Sequence, residues 1–367
     1  MNTIPSTFND SLPAYTVVGG AKRNASTGLC AALLNRGGRY ARNSYFKELQ
    51  NSGFDYVLSL EGSGDHFDIE ELSAAFPFIR FILFKDAPNI GEQINVAAAE
   101  SDGPLFFALW NDFHPVLSLD AERIAGRLLL KTPEAPAGMN KPQGIRLCTV
   151  PVLQNQQFET LPSASAPVIN GKNFETVPFV PVKEGEPSLY PFDAAGVYDR
   201  ARFIDLGGFD PKIKPPRWQL LDFGLRAWLW GEEIRGTQQI RFKLDGAINA
   251  ENSTADDNYL RFFLKNLAPV IQSVNTGRKP PKNAILETRP AHLPLRYLPA
   301  YLSAANCGLP AAIRNFIDIR GWVDANSRRF VHNINEISAF WDYFEQGNQP
   351  KDGIEAPCRR RVFSFAL

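Results

Sequence analysis

Between residues 14 and 130, short apolar runs alternate with segments of helical period. This alternation constrains the fold most, because strands separated by helix-length connections pair in parallel and bury both faces of their sheet. The spacing predicts strands at 15–18, 56–60, 79–84 and 105–109. Helices are expected over 44–51, over 68–75, where Asp68 and Glu71 have capping-box spacing, and over 91–99 with its run of alanines. Behind Ser118, the residues Leu119, Ile124 and Leu128 recur at helical spacing. The expected architecture is α/β, with a mixed, mostly parallel sheet flanked by helices.

The stretch 132–190 changes character, with many prolines and short β-prone runs at 145–150 and 175–182, and reads as an insertion or lid. An ordered block follows, with strands at 195–198 and 240–244, a turn at Gly207-Gly208 and a helix near 219–230. Residues 275–290 are rich in proline and polar side chains, which marks a linker. The expected division is a domain over 1–274, that linker, and a helical C-terminal subdomain over 291–367. A few C-terminal arginines, Arg328, Arg329 and Arg359–Arg361, are expected to pack on the main domain rather than anchor a membrane.

Charge excludes some functions. The chain carries 39 basic and 39 acidic residues, so it lacks the positive field of a generic nucleic-acid binder. Its four cysteines, Cys30, Cys148, Cys307 and Cys358, form no CxxC pair, which disfavours a disulfide scaffold or zinc ribbon. No signal-like leader or membrane-length apolar run is seen, and a cytoplasmic location is expected. The sequence has no HExxH, GxSxG or Walker motif, and GGAKRNASTG lacks the GxGxxG spacing. The histidines His66, His114, His292 and His332 are far apart.

Four features remain, in order. A polar turn, Glu61-Gly62-Ser63-Gly64-Asp65, follows one predicted strand, where open α/β sheets bind ligands. Asn89-Ile90-Gly91 and Asn95 open the alanine-rich helix. Trp110-Asn111-Asp112-Phe113-His114 ends the strand at 105–109. Gly207-Gly208-Phe209-Asp210 precedes a helix bearing Trp218, Asp222 and Arg226.

This order resembles the family-2-type glycosyltransferases of the nucleotide-sugar-binding GT-A fold, over roughly residues 14–265. The resemblance implies a nucleotide-sugar donor, a glycan or other hydroxyl acceptor, inversion at the anomeric carbon, and Mn²⁺ or Mg²⁺. It places Gly19, Glu61, Asp65, Asn89, Gly91, Asn95, Trp110, Asn111 and Asp112 at the donor, and Gly208, Phe209, Asp210, Trp218 and Arg226 at the acceptor. Asp112 and His114 would hold the metal that neutralises the departing diphosphate, and Asp222 would be the base.

The chain departs from the pattern at Leu60, Trp110 and Leu220, where the family has carboxylates. Plainer readings accompany each assignment. Asp112 can cap its turn, Asp210 can bond its own backbone, and the helix tryptophans can be core. Asp222 and Arg226 have the i,i+4 spacing of an ion pair, and Lys22 with Arg23 can face a diphosphate or simply water. The alternative from another class is a non-catalytic relative that binds sugar or nucleotide. A nucleotidyltransferase lacks support, since no Gly-rich, Lys/Arg-studded loop is found near the N-terminus.

Overall fold

The computed structural model describes residues 12–36, 41–62, 68–129, 146–170, 173–229 and 232–244, with 256, 258–259 and 261–262. In chain order the elements are β1 (Tyr15–Gly19), β2 (Leu29–Leu34), α1 (Arg42–Asn51), β3 (Val57–Glu61), α2 (Ile69–Ala75), β4 (Ile79–Phe84) and α3 (Ile90–Glu100). Then come β5 (Leu105–Trp110), β6 (Phe113–Pro115), α4 (Ala121–Leu129), β7 (Arg146–Gln154), β8 (Ala164–Asn170) and β9 (Asn173–Phe179). After a short 3₁₀ turn, Phe192–Ala194, follow β10 (Gly196–Asp199), α5 (Arg200–Asp205), α6 (Pro216–Leu229) and β11 (Glu233–Leu244).

Nine strands form one sheet in the order β1-β4-β3-β2-β5-β10-β7-β11-β6, while β8 and β9 form a separate two-stranded sheet. The contiguous strands β4, β3, β2 and β5 are parallel. β10 runs antiparallel between β5 and β7, and β7 pairs in parallel with β11. Every residue of β2, β3 and β5 is buried, as expected of strands with helices on both faces. α3 packs on β2, β3 and β5, and α4 on β2. The expected α/β architecture is therefore present. Two compact units are distinguished, one holding 1–165, 178–228 and 232–251, the other 166–177, 229–231 and 252–367.

Several local expectations are corrected. β2 is additional to the expected strands: its run LCAALL is rich in leucine and alanine, which favour helix over strand. The strand predicted at 15–18 is present as β1, which runs antiparallel to β4 at one end of the sheet order. Asp68 caps nothing with its side chain and sits in the left-handed region at φ 65°, so its spacing to Glu71 makes no capping box. The box forms at Asn89, which accepts from the Glu92 amide while Glu92 accepts from the Asn89 amide. α4 is capped by Asp120, which accepts from the Arg123 amide at 2.9 Å. Inside the stretch read as an excursion, β7 is a strand of the main sheet, buried from Leu147 onward. The linker at 275–290 and the helical region at 291–367 lie outside the described residues. Among described residues no helix is long and apolar enough to cross a membrane.

The buried acids of the core make alkaline stability predictable. Burial, reinforced by the charges of Asp102 and Asp55, pushes the Cys30 thiol up to about 11 from an ordinary 9.0. Burial moves Cys148 and Tyr198 in the same direction. An unfolded chain releases the Cys30 proton first, so stability should hold below pH 9 and fall as pH rises from 9 towards 11. Urea denaturation at pH 8 and pH 10.5 measures the fall, which should be smaller in Cys30→Ala. Equal losses in both proteins would contradict the assignment.

Candidate functional site

In the parallel core, β2 lies between β3 and β5, so the chain runs to one side of β2 and then returns to its other side. Such a reversal leaves a crevice at the carboxyl ends of the two strands, where loops diverge and ligands are bound. Here the register aligns Leu34 of β2 with Leu60 of β3 and Trp110 of β5, so the residues following these positions share one edge.

Two asparagines hold the loops of that edge. The Asn111 amide donates to the Leu34 carbonyl at 3.0 Å, its side-chain oxygen accepts from the Arg36 amide at 3.0 Å, and its Nδ2 donates to the Arg36 carbonyl at 3.2 Å. Asn35 Nδ2 donates to the Leu60 carbonyl at 2.9 Å, while its Oδ1 is buried with no partner among the described residues. Arg36 is thereby fixed at the crevice, with its guanidinium carbon 4.2 Å from the centroid of the Trp110 ring.

The guanidinium gathers two carboxylates. Its Nε and Nη2 donate to Asp112 at 2.8 and 3.1 Å, a two-point grip on both carboxylate oxygens, and its Nη1 donates to Asp193. Burial alone would lower the Arg36 pKa, but its hydrogen bonds to Asp112 and the charge of Asp193 outweigh it and hold the group above its ordinary value. The side chains of Arg36, Asp112 and Asp193 are 27, 25 and 21% exposed, so the trio opens to solvent.

Asp193 reaches this point because β10 begins there, running back antiparallel from the carboxyl end of β5. Its backbone carbonyl accepts from Trp110 Nε1 at 2.9 Å. Asp193 and Ala194 both take left-handed backbone conformations, φ 52° and 58°. Two successive non-glycine residues in that region are strained, and such strain persists where the surroundings dictate it, often at functional sites.

No family model and no curated protein sequence matches the chain. Solved structures do. The chain is similar to the crystal structure of GalNAc-T7 with UDP, GalNAc and Mn²⁺, at 13% identity and a TM-score of 0.44, over 64% of this chain. It spans about half of that protein, 47% of its length. It is also similar to S. aureus TarS 1–349, at 12% identity and a TM-score of 0.40, over 89% of this chain and 94% of that one. TarS 1–349 in complex with UDP-GlcNAc gives 11% identity and a TM-score of 0.38 over the same shares.

Of the residues singled out from sequence, Trp110, Asn111 and Asp112 stand at the crevice. Glu61 is also at the end of its strand, but it is 1% exposed and turned inward, paired with Arg42 at 2.7 Å and accepting from Ser59 at 2.6 Å. Its carboxylate is committed to the protein, which corrects its assignment to the donor. Gly19 is displaced too. It pairs with Arg80 at the amino end of β4, and a Cβ there would lie 2.6 Å from the Ile79 carbonyl oxygen. Lys22 and Arg23 share that far end, where Arg23 lies 3.3 Å from Asp102 and 3.7 Å from Asp55. Asp65 lies outside the described residues.

A second group forms a buried clasp rather than a ligand site. The Gly91 amide donates to Gln219 Oε1 at 2.9 Å, and Gln219 Nε2 donates to Asn89 Oδ1 and the Asp210 carbonyl. Asn95 exchanges two hydrogen bonds of 2.9 Å with the Phe209 backbone. Asp210 accepts from the Lys212 amide, closing its own turn. These contacts tie the start of α3 to the Gly207-Gly208 turn, where both glycines have positive φ, and to α6. Trp218 is 7% exposed and belongs to the core.

Asp222 is corrected most clearly. It is 0% exposed and paired with Arg226 at 2.9 Å, while Arg226 also donates to the carbonyls of Leu206 at 2.8 Å and Gly208 at 2.6 Å. A general base must come within about 3 Å of the proton it removes. A carboxylate sealed inside α6 does not, and its role is to position the arginine that fastens the end of α5.

Both Asp112 oxygens accept from Arg36. His114 lies in β6 opposite Lys243, with its ring edge-on to Tyr45 at 6.3 Å. Among described residues no group of three or more His, Cys, Asp or Glu side chains could hold a metal ion. These residues do not fit the divalent cation that the resemblance implies. Arg36 and Asp193, missed from sequence, take the central places. The only signals were an Asn-Arg-Gly-Gly after an apolar run and an acid just before a strand.

Proposed function

We propose that the chain is a glycosyltransferase that binds a nucleotide-diphosphate sugar at the carboxyl ends of β2 and β5 and transfers the sugar to a hydroxyl acceptor. The observation that carries this reading is the convergence of Arg36, Trp110, Asp112 and Asp193 at the reversal point of the parallel sheet. The mixed sheet expected from the GT-A resemblance supports it. In a single displacement the acceptor oxygen bonds to the anomeric carbon as the bond to the diphosphate oxygen breaks with its electron pair, and the sugar inverts. Asp193, 21% exposed and bonded to Arg36 Nη1 at the crevice, is the carboxylate we assign to take the acceptor proton.

A second reading, a non-catalytic binding protein, is favoured by one observation: the family's base position is Leu220, and the nearest acid, Asp222, is sealed. A panel of nucleotide-diphosphate sugars decides between them. A ligand at ~100 times its Kd stabilises by about 2.7 kcal/mol, a visible thermal shift. One donor is expected to raise the melting temperature and to release nucleoside diphosphate when acceptors are supplied. A shift without release at any acceptor selects the binding reading. Neither shift nor release defeats both.

A further inference from the structure

The turn that delivers Asp193 to the crevice has an unfavourable shape, and the groups that hold it there include one the transfer step itself does not touch. Asp193 and Ala194 are both left-handed, at φ 52° and 58°, and neither is a glycine. Such a pair persists only where its surroundings over-determine it. Here they do, because each of the two peptide planes flanking Ala194 is fastened at both ends. In the first, the Asp193 carbonyl accepts from Trp110 Nε1 at 2.9 Å and the Ala194 amide donates to the Pro191 carbonyl at 3.1 Å. In the second, the Ala194 carbonyl accepts from the Tyr198 hydroxyl at 2.6 Å and the Ala195 amide donates to the Phe192 carbonyl at 3.0 Å.

Tyr198 is the unexpected member. Its side chain is buried, with the ring stacked on Phe106 at 5.0 Å and edge-on to Phe203 at 5.5 Å, so phenylalanine would pack there equally well. A hydroxyl in such a place is costly unless bonded, and what it bonds, besides the Cys148 thiol, is the left-handed turn. We propose that Tyr198 is a positioning residue of the transfer reaction: with Trp110 it clamps successive carbonyls of the 193–194 turn and so fixes the Asp193 carboxylate beside Arg36. The inference rests on the glycosyltransferase reading above, in which Asp193 takes the acceptor proton. The two arms come from neighbouring strands, Trp110 from β5 and Tyr198 from β10, whose register sets Tyr198 opposite Phe106. The turn is therefore tied to the sheet from two sides, and the base is in place before substrates arrive.

Hydrogen exchange of the full chain, followed by mass spectrometry, tests the clamp without any substrate, and steady-state kinetics tests its use. Tyr198→Phe should speed exchange in peptides covering residues 192–196 by ~5-fold or more, the worth of one hydrogen bond, and leave β4 peptides unchanged. With the donor and acceptor that the wild type turns over, the same variant should lose ~10-fold or more in kcat while the donor KM stays within about 2-fold. Ile79→Val, a core change at the amino end of β4, is the control for lost stability and should alter neither exchange at 192–196 nor kcat. Trp110→Phe removes the other arm and should speed exchange in the same peptides and lower kcat, which keeps the test open if Tyr198→Phe does not fold. Unchanged exchange at 192–196 overturns the clamp. Faster exchange with wild-type kcat, or a raised KM alone, overturns the positioning role and leaves the glycosyltransferase reading standing. A wild type that turns over no donor defeats that reading, and the positioning role with it, whatever the exchange shows.

Discussion

Arg226→Ala is expected to cost about 3–5 kcal/mol of folding stability, the range for breaking a buried ion pair from one side. Arg226 is the partner of a fully buried carboxylate and bonds the carbonyls that end α5, so its loss strands polar groups in three places. Chemical denaturation reads this directly. Asp222→Asn keeps shape and hydrogen-bonding capacity and should be much milder, with donor turnover retained. If the asparagine variant folded normally yet turned over at a small fraction of the wild-type rate, Asp222 would be reinstated as the base. A loss below about 1 kcal/mol for Arg226→Ala would show the pair to be dispensable.

Trp110→Ala should lower stability by about 3–5 kcal/mol and loosen the crevice as well. The indole is 3% exposed, carries the Arg36 guanidinium on its face and donates to the Asp193 carbonyl. Trp110→Phe retains an aromatic face but not the donor, so it should cost about 1 kcal/mol, the net worth of a hydrogen bond. Denaturation of the two variants, with nucleotide titrations beside it, separates packing from alignment. Equal stability losses would mean that the hydrogen bond to Asp193 dominates and the ring's bulk does not.

These two residues show what could be read from the chain. The Asp222–Arg226 pair was legible because helix geometry brings i and i+4 together whatever surrounds them. The strands at 79–84 and 105–109 were legible because apolar runs between turn signals leave few other options. Trp110 and Asp112 were recognised as strand-end residues. Their partners were not, since Arg36 meets Asp112 across 76 residues and Asp193 across 157, and no local period records such meetings. The same limit hid the clasp. Asn89 and Asn95 have the appearance of ligand-binding residues in isolation, and only the approach of Gln219 and Phe209 shows that their polar groups are spent inside the protein. β2 is harder to read than β5 because leucine and alanine in LCAALL favour helix, whereas the phenylalanines and tryptophan of LFFALW favour strand.

β10 has a consequence for biosynthesis. Four residues, Gly196–Asp199, are all that join β5 to β7 across the sheet, and they lie after both in the chain. While a ribosome is still completing residues beyond β7, the hydrogen-bonding edges of both flanking strands therefore stand open to any other extended peptide. Elongation at about 5–20 residues per second prolongs that exposure for seconds. A nascent chain stalled before Gly196 would be a natural client for chaperones that shield strand edges, and premature truncation there should yield aggregates rather than a smaller soluble domain.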